Sequence, residues 1–138
     1  MKKLAFYHSW PRYTFSVLWM ILIVLACLID LRPIADDLPK VFGLDKVVHF
    51  FLYFVLTFLF LWEHNHRQWR SKAKASMKLF WLTVLVCGIY GGLIEFLQSL
   101  TSYRGMDQMD WVADIVGGLF AYLLYYVFNF KAHDDSEK

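Results

Sequence analysis

Three separated stretches of this 138-residue chain place ionisable side chains inside or beside apolar runs. The first holds Asp45, Lys46, His49 and Tyr53; Asp45, His49 and Tyr53 recur every four residues and so share one helix face. The second holds Glu95 and Gln98, three apart, behind Gly88, Gly91 and Gly92. The third holds Asp110 and Asp114, four apart, preceded by Arg104 and Asp107 and followed by Gly117 and Gly118. Counting Asp45, Glu95, Asp107, Asp110 and Asp114 against Lys46 and Arg104 gives a net charge of about −3 when all are ionised and His49 is neutral. So crowded a group does not stay fully ionised in a poor solvent, and one or more carboxylates must hold a proton or a cation.

Three chemistries are open to such a set. It can be a structural network, with Arg104 and Lys46 paired to carboxylates and the rest hydrogen-bonded between helices. It can be a pocket for a lipid headgroup, a peptide amine or a drug. It can be a hydrolytic or transferase site in which a divalent metal sits on His49 and two carboxylates, with Glu95 and Asp110 as candidates. Against the enzyme, phosphoryl-lipid substrates are anionic and want Arg, Lys or a metal, whereas two basic residues stand here among five acids. Only bound Mg²⁺, Mn²⁺ or Zn²⁺ would reverse that balance. No G-x-S-x-G nucleophile motif is present, and Ser99 and Ser102 follow no recognisable pattern. Binding is therefore expected in preference to catalysis, and no cofactor beyond an optional divalent metal is expected.

The elements that must position these residues follow from composition. The chain is 59% hydrophobic, 20% aromatic and only 19% charged, where a soluble domain is about 45–50% apolar and about 25% charged. The apolar residues fall in four blocks, 13–29, 47–62, 79–97 and 111–130, each near the roughly 17–25 residues of a transmembrane helix. We expect an all-α integral membrane protein: one four-helix bundle over residues 1–130 with a short polar tail, 131–138. Little chain is left for a soluble core, which excludes a soluble enzyme, a secreted disulfide scaffold and a nucleic-acid-binding protein. Cys27 and Cys87 lie inside apolar blocks and read as small core residues. Val24-Leu25-Ala26-Cys27 loosely resembles a lipoprotein cleavage box, which Leu25 fits poorly. His64-Asn65-His66 lacks further metal ligands and reads as an interfacial turn.

Orientation follows Lys and Arg near the helix ends. Lys2, Lys3 and Arg12 precede the first block, and Arg67, Arg70, Lys72, Lys74 and Lys78 separate the second from the third, with Glu63 the one acid there. Segments 30–46 and 98–110 are instead balanced or acidic. Both termini should be cytoplasmic. The second helix then starts, the third ends and the fourth starts on the outer side, so the polar residues of all three meet at one level. His49, Glu95, Gln98, Arg104 and Asp110 should line one pocket, with Arg104 bonding at least one carboxylate. An ionisable group at a helix centre costs at least about 2.5–3.5 kcal/mol, so such groups face the bundle interior or a wet cavity. Gly88-x-x-x-Gly92 and Gly117-Gly118, with Gly91, would let the backbones approach.

Asp45-Lys-x-x-His49-Phe-x-x-Tyr53, Glu95-x-x-Gln98 and Arg104-x-x-Asp107-x-x-Asp110-x-x-x-Asp114-x-x-Gly117, in this order and spacing, resemble the VanZ-like family of small bacterial membrane proteins over about residues 15–128. One position departs from the pattern: Asp114 stands where many members have asparagine. The resemblance implies four or five helices in a bacterial inner (cell) membrane. It also implies a part in the cell envelope, since the founding type is associated with resistance to the glycopeptide teicoplanin. The expected partners are membrane lipids, lipid-linked cell-wall intermediates or glycopeptides, and no nucleic acid. The charge bias makes orientation testable. Of Asp36→Cys and Arg70→Cys, introduced singly, a membrane-impermeant thiol reagent on intact cells should label only the first; labelling at position 70 reverses the orientation.

Overall fold

A computed structural model describes residues 11, 13–29, 43–66, 77–102 and 104–134, with side chains up to His64 in the second segment and Phe128 in the last. The N-terminal basic residues, the first loop, the basic run 67–76 and the end of the tail lie outside these. The described residues form helices and turns: α1 (Thr14–Leu28), α2 (Leu44–His66), α3 (Met77–Ser99) and α4 (Gln108–Asp134). Each of the last three outruns the apolar block that announced it, because polar residues at the block edges are helical too. Asp45 and Asp110 occupy the first turns of α2 and α4, where negative charge is favoured by the helix dipole. Gly43 precedes α2 at φ 80°, a left-handed conformation open to glycine at little cost. His64-Asn65-His66 is the last turn of α2 and not a separate interfacial turn.

Three helical segments are long and apolar enough to cross a membrane: Leu44–His64, Met77–Ser99 and Gln108–Phe128. α1, at 15 residues, is roughly 22 Å long at 1.5 Å per residue, short of a hydrocarbon core about 30 Å thick. Among the described residues, then, three helices have the length and composition of a span, and α1 is a shorter apolar helix beside them. Both ends of α1 are tied by side chains from its neighbours. At its start, one oxygen of the buried Glu63 carboxylate accepts the Phe15 N–H at 2.8 Å; the other accepts the Ser16 N–H at 3.0 Å and the Ser16 hydroxyl at 2.5 Å. Tyr13, at φ 67°, stacks on Phe60 with ring centroids 5.1 Å apart, and its hydroxyl lies 2.9 Å from His64 Nδ1. At the far end Gln98 Nε2 donates to the Cys27 carbonyl at 3.0 Å. These contacts run α1 antiparallel to α2, and they satisfy some of the backbone groups that every helix leaves unbonded at its ends.

α2 and α4 are parallel and make the most extensive contact in the bundle. Gly117 sits directly on the backbone of Phe50, so closely that a Cβ there would collide with the Phe50 carbonyl. Gly118 faces Cys87 and Thr57, and Gly91 faces the Asp114 carboxylate. The expected Gly88-x-x-x-Gly92 seam is corrected. A Cβ on Gly88 would meet nothing within 4 Å, and one on Gly92 would make only an ordinary contact, 3.6 Å from Trp111 Nε1. The physical reason is Trp111, whose indole N–H donates to the Gly88 carbonyl at 2.8 Å and occupies the space between the helices. Ile23, Cys27, Tyr53, Leu56, Cys87 and Ile94 form one core cluster, and Leu61, Leu79 and Tyr122 a second. Phe51, Trp81, Leu85, Ile89, Phe96 and Leu123 point outward, as side chains facing lipid do.

Gly117 and Gly88 form a natural contrast. Gly117→Ala should destabilise the protein by about 1–3 kcal/mol through overpacking, read as a lower thermal midpoint in detergent or nanodiscs. Gly88→Ala should leave the midpoint near that of the parent.

Candidate functional site

The site is built where α2 starts, α3 ends and α4 starts. Asp107 begins it: its Oδ1 accepts the Met109 N–H at 2.8 Å, capping α4, while its own N–H donates to Glu95 Oε2 at 2.8 Å. One residue thus fixes the start of α4 and ties it to α3. The Lys46 ammonium donates to Asp107 at 2.7 Å, Asp110 at 3.0 Å and Asp45 at 3.1 Å, closing the outer edge. Deeper, His49 Nδ1 lies 3.0 Å from Asp114 Oδ1, and His49 Nε2 lies 3.9 Å from Asp110 Oδ2.

Two layers result. Asp45 and Asp107 leave 47% and 44% of their side chains exposed, and Lys46 leaves 32%. Below them His49, Glu95, Asp110 and Asp114 are buried, Glu95 and Asp114 completely. Burying an unpaired polar atom is costly. Nonetheless Glu95 Oε1 is buried without a hydrogen-bond partner among the described residues, whereas the Tyr53 hydroxyl and the Asp114 carboxylate, both buried, face each other. One atom each from His49, Glu95 and Asp110 lie within 4.8 Å of one another; Asp45, Asp107 and Asp110 form a second such group, around the Lys46 ammonium.

The structure thus brings together Asp45, Lys46, His49, Glu95, Asp107, Asp110 and Asp114. Tyr53 lies one helical turn below His49, buried, its ring 5.9 Å from that of Tyr90. Gln98 and Arg104 are turned elsewhere. Arg104 was expected to bond a carboxylate; among the described residues it bonds none, and its Nη1 lies 3.5 Å from the Cys27 carbonyl that Gln98 also reaches. The end of α1 offers an unbonded carbonyl there, and both donors turn to it. Cys27 and Cys87 are free and buried. Sequence reasoning missed Glu63 as a helix cap; its signal was a lone acid at the edge of an apolar block. It also missed the indole donors, Trp111 to Gly88 and Trp19 to the Leu52 carbonyl at 2.9 Å, for which spacing holds no signal.

At the rim, the Lys46 ammonium first, and the Met109 N–H second, hold the Asp107 carboxyl below its ordinary value of 3.8. A lowered value stabilises the fold above the unfolded pKa, and that stability is lost as pH falls through the folded one. Asp107→Asn keeps a capping oxygen but loses the ion pair. Its deficit in thermal midpoint against the parent should be present at neutral pH and shrink to nothing as pH falls well below 3.8.

The VanZ/LLP1 family model matches residues 2–129. A Schizosaccharomyces pombe protein, "Uncharacterized protein C11E3.10", is 33% identical over 126 residues, covering 91% of this chain and 70% of its own length. No solved structure matches. With nearly the whole chain inside the family match, this protein belongs to the VanZ/LLP1 family.

Proposed function

We propose that this VanZ/LLP1 protein binds a polar ligand of the cell envelope at the α2–α3–α4 cluster, by recognition and not by catalysis. The ligand is an amine-bearing lipid headgroup or lipid-linked cell-wall precursor. Its capture alters how the cell surface responds to glycopeptides such as teicoplanin. The observation that carries this reading is the fully buried carboxylate of Glu95, with one oxygen left unpartnered among the described residues. Polar atoms held dry and unspent lose little on meeting a ligand, because most of their desolvation has already occurred on folding. The rim supports an amine in particular: Asp45, Asp107 and Asp110 surround a single ammonium, that of Lys46. In this reading the cluster opens to the outer side of a bacterial inner membrane, both termini are cytoplasmic, and α1 completes the bundle as a fourth, shorter membrane helix.

A second reading is a metal-dependent membrane enzyme acting on a lipid-linked substrate. The grouping of His49, Glu95 and Asp110 within 4.8 Å favours it, and a divalent ion there would offset the excess of acids.

Function separates from scaffold in two substitutions. Glu95→Gln preserves shape and hydrogen-bonding capacity while deleting charge. It should leave folded protein near parental amounts yet abolish glycopeptide protection in a complemented deletion strain. Equal loss of protein and phenotype would mark the cluster as purely structural, since leaving a buried polar partner unsatisfied costs about 1–3 kcal/mol. Asp114→Asn, which restores the residue common in the family pattern, should keep both protein and phenotype. For the ligand itself, nanodiscs of mixed phosphatidylethanolamine and phosphatidylglycerol should yield protein enriched in the amine-bearing lipid by native mass spectrometry. That enrichment should fall in Asp107→Asn.

A further inference from the structure

We propose that His49, Glu95 and Asp110 form a buried binding site for one divalent transition-metal ion, in the Zn²⁺ and Mn²⁺ class, at the floor of the cluster. Each of the three has one polar atom committed to the protein and one left over. His49 Nδ1 lies 3.0 Å from Asp114 Oδ1; with an ion on Nε2, Nδ1 carries the ring proton and donates it to the Asp114 carboxylate. Glu95 gives Oε2 to the Asp107 N–H at 2.8 Å and keeps Oε1, which is buried and unpartnered among the described residues. Asp110 gives Oδ1 to Lys46 at 3.0 Å and keeps Oδ2, 3.9 Å from His49 Nε2.

The spacing is close to that of a metal site. Two bonds of about 2.0–2.1 Å at a tetrahedral angle put ligand atoms about 3.3–3.4 Å apart, so the 3.9 Å between Nε2 and Oδ2 must shorten on binding. Ligand atoms of all three residues lie within 4.8 Å of one another, and side-chain rotations of Glu95 and Asp110 draw them onto one ion. The committed atoms supply the support that metal ligands need. A metal-bound histidine donates its other ring N–H to a carboxylate, and bound carboxylates are themselves hydrogen-bonded. Asp114, the Asp107 N–H and Lys46 fill those roles. One imidazole with two carboxylates favours Zn²⁺ or Mn²⁺ over Mg²⁺ and Ca²⁺, which prefer oxygen alone, and three protein ligands leave a position open. The rival acid group at the rim is already filled by the Lys46 ammonium. The inference deepens the second, metal-dependent reading, since the ion takes the Glu95 oxygen that the amine reading uses; it holds whether or not a bound lipid is transformed.

The test uses the full chain in nanodiscs, stripped with chelator and reloaded with ZnCl₂ in excess Mg²⁺, with metal counted by mass spectrometry and affinity read by competition with a chelating dye. The expected result is one Zn²⁺ per chain and a rise in thermal midpoint on loading. Asp114→Asn should weaken Zn²⁺ by about 10–100-fold, as loss of a supporting carboxylate does. Glu95→Gln, by removing a ligand, should weaken it further and abolish the thermal shift. Asp45→Asn, at the rim, should keep full stoichiometry. Co²⁺ in place of Zn²⁺ should give a visible spectrum of nitrogen and oxygen ligation that disappears in Asp110→Asn. A parental protein that retains less than one ion per chain overturns the site, whether or not any variant folds. So does parental affinity in Glu95→Gln, or metal lost in Asp45→Asn and kept in Glu95→Gln. Lipid enrichment in the mixed nanodiscs is read separately, so a failed metal site leaves the binding reading standing, and the converse.

Discussion

The close approach of two parallel helices, α2 and α4, at Gly117 and Phe50 governs the arrangement of everything above it. With no side chain on Gly117, backbone meets backbone, and the register of the two helices is set at that point. One turn closer to the cluster end, Asp114 comes opposite His49; another turn, and Asp110 comes opposite Lys46. The polar pairs follow from a steric contact between main chains. Gly91 plays the same part for α3, leaving room for the Asp114 carboxylate that any larger residue would displace.

Given that register, the cluster must solve an electrostatic problem in a poor solvent. Charges in the membrane interior are expensive and pair with one another where they occur. Here the rim solves it with one ammonium shared among three aspartates. The floor does not solve it completely, since Glu95 retains an unpartnered oxygen among the described residues. Wholly structural networks tend to satisfy all their members, because a half-satisfied one is worse than an apolar core. The contrast between a satisfied rim and an unspent floor is what points to a ligand.

The opposite end of the bundle shows what a structural polar contact looks like in the same protein. Both Glu63 oxygens are occupied, by two main-chain N–H groups at the start of α1 and the Ser16 hydroxyl. Every helix leaves unbonded backbone groups at its ends, and where these are packed against neighbours the neighbours must supply the partners. Glu63 does this at one end and Gln98 at the other. The short α1 is thus held in place by side chains that read, in the sequence, as a loop acid and a member of the functional cluster.

The chain alone determined the helices, the face each shows to its neighbours and the level at which the polar residues gather. These depend on local periodicity and on the charge bias between segments, both of which are written into consecutive residues. Asp45, His49 and Tyr53 at every fourth position, or Asp110 and Asp114, share a face whatever they pack against. The helix ends were less legible, because the apolar blocks stop short of the polar residues, Asp45 and Asp110 among them, that complete the first turns of α2 and α4. Only the tertiary structure decided which partner each face meets. Gly88 and Gly92 fit the spacing of a packing motif as well as Gly117 does, yet the Trp111 indole stands beside them and the phenylalanine backbone beside Gly117. Gln98 and Arg104 carried the right chemistry for the carboxylates but lie nearer an unbonded carbonyl at the end of α1. Hydrogen bonds are decided by distances of a few tenths of an ångström between elements far apart in the chain, and periodicity within one element holds no record of them.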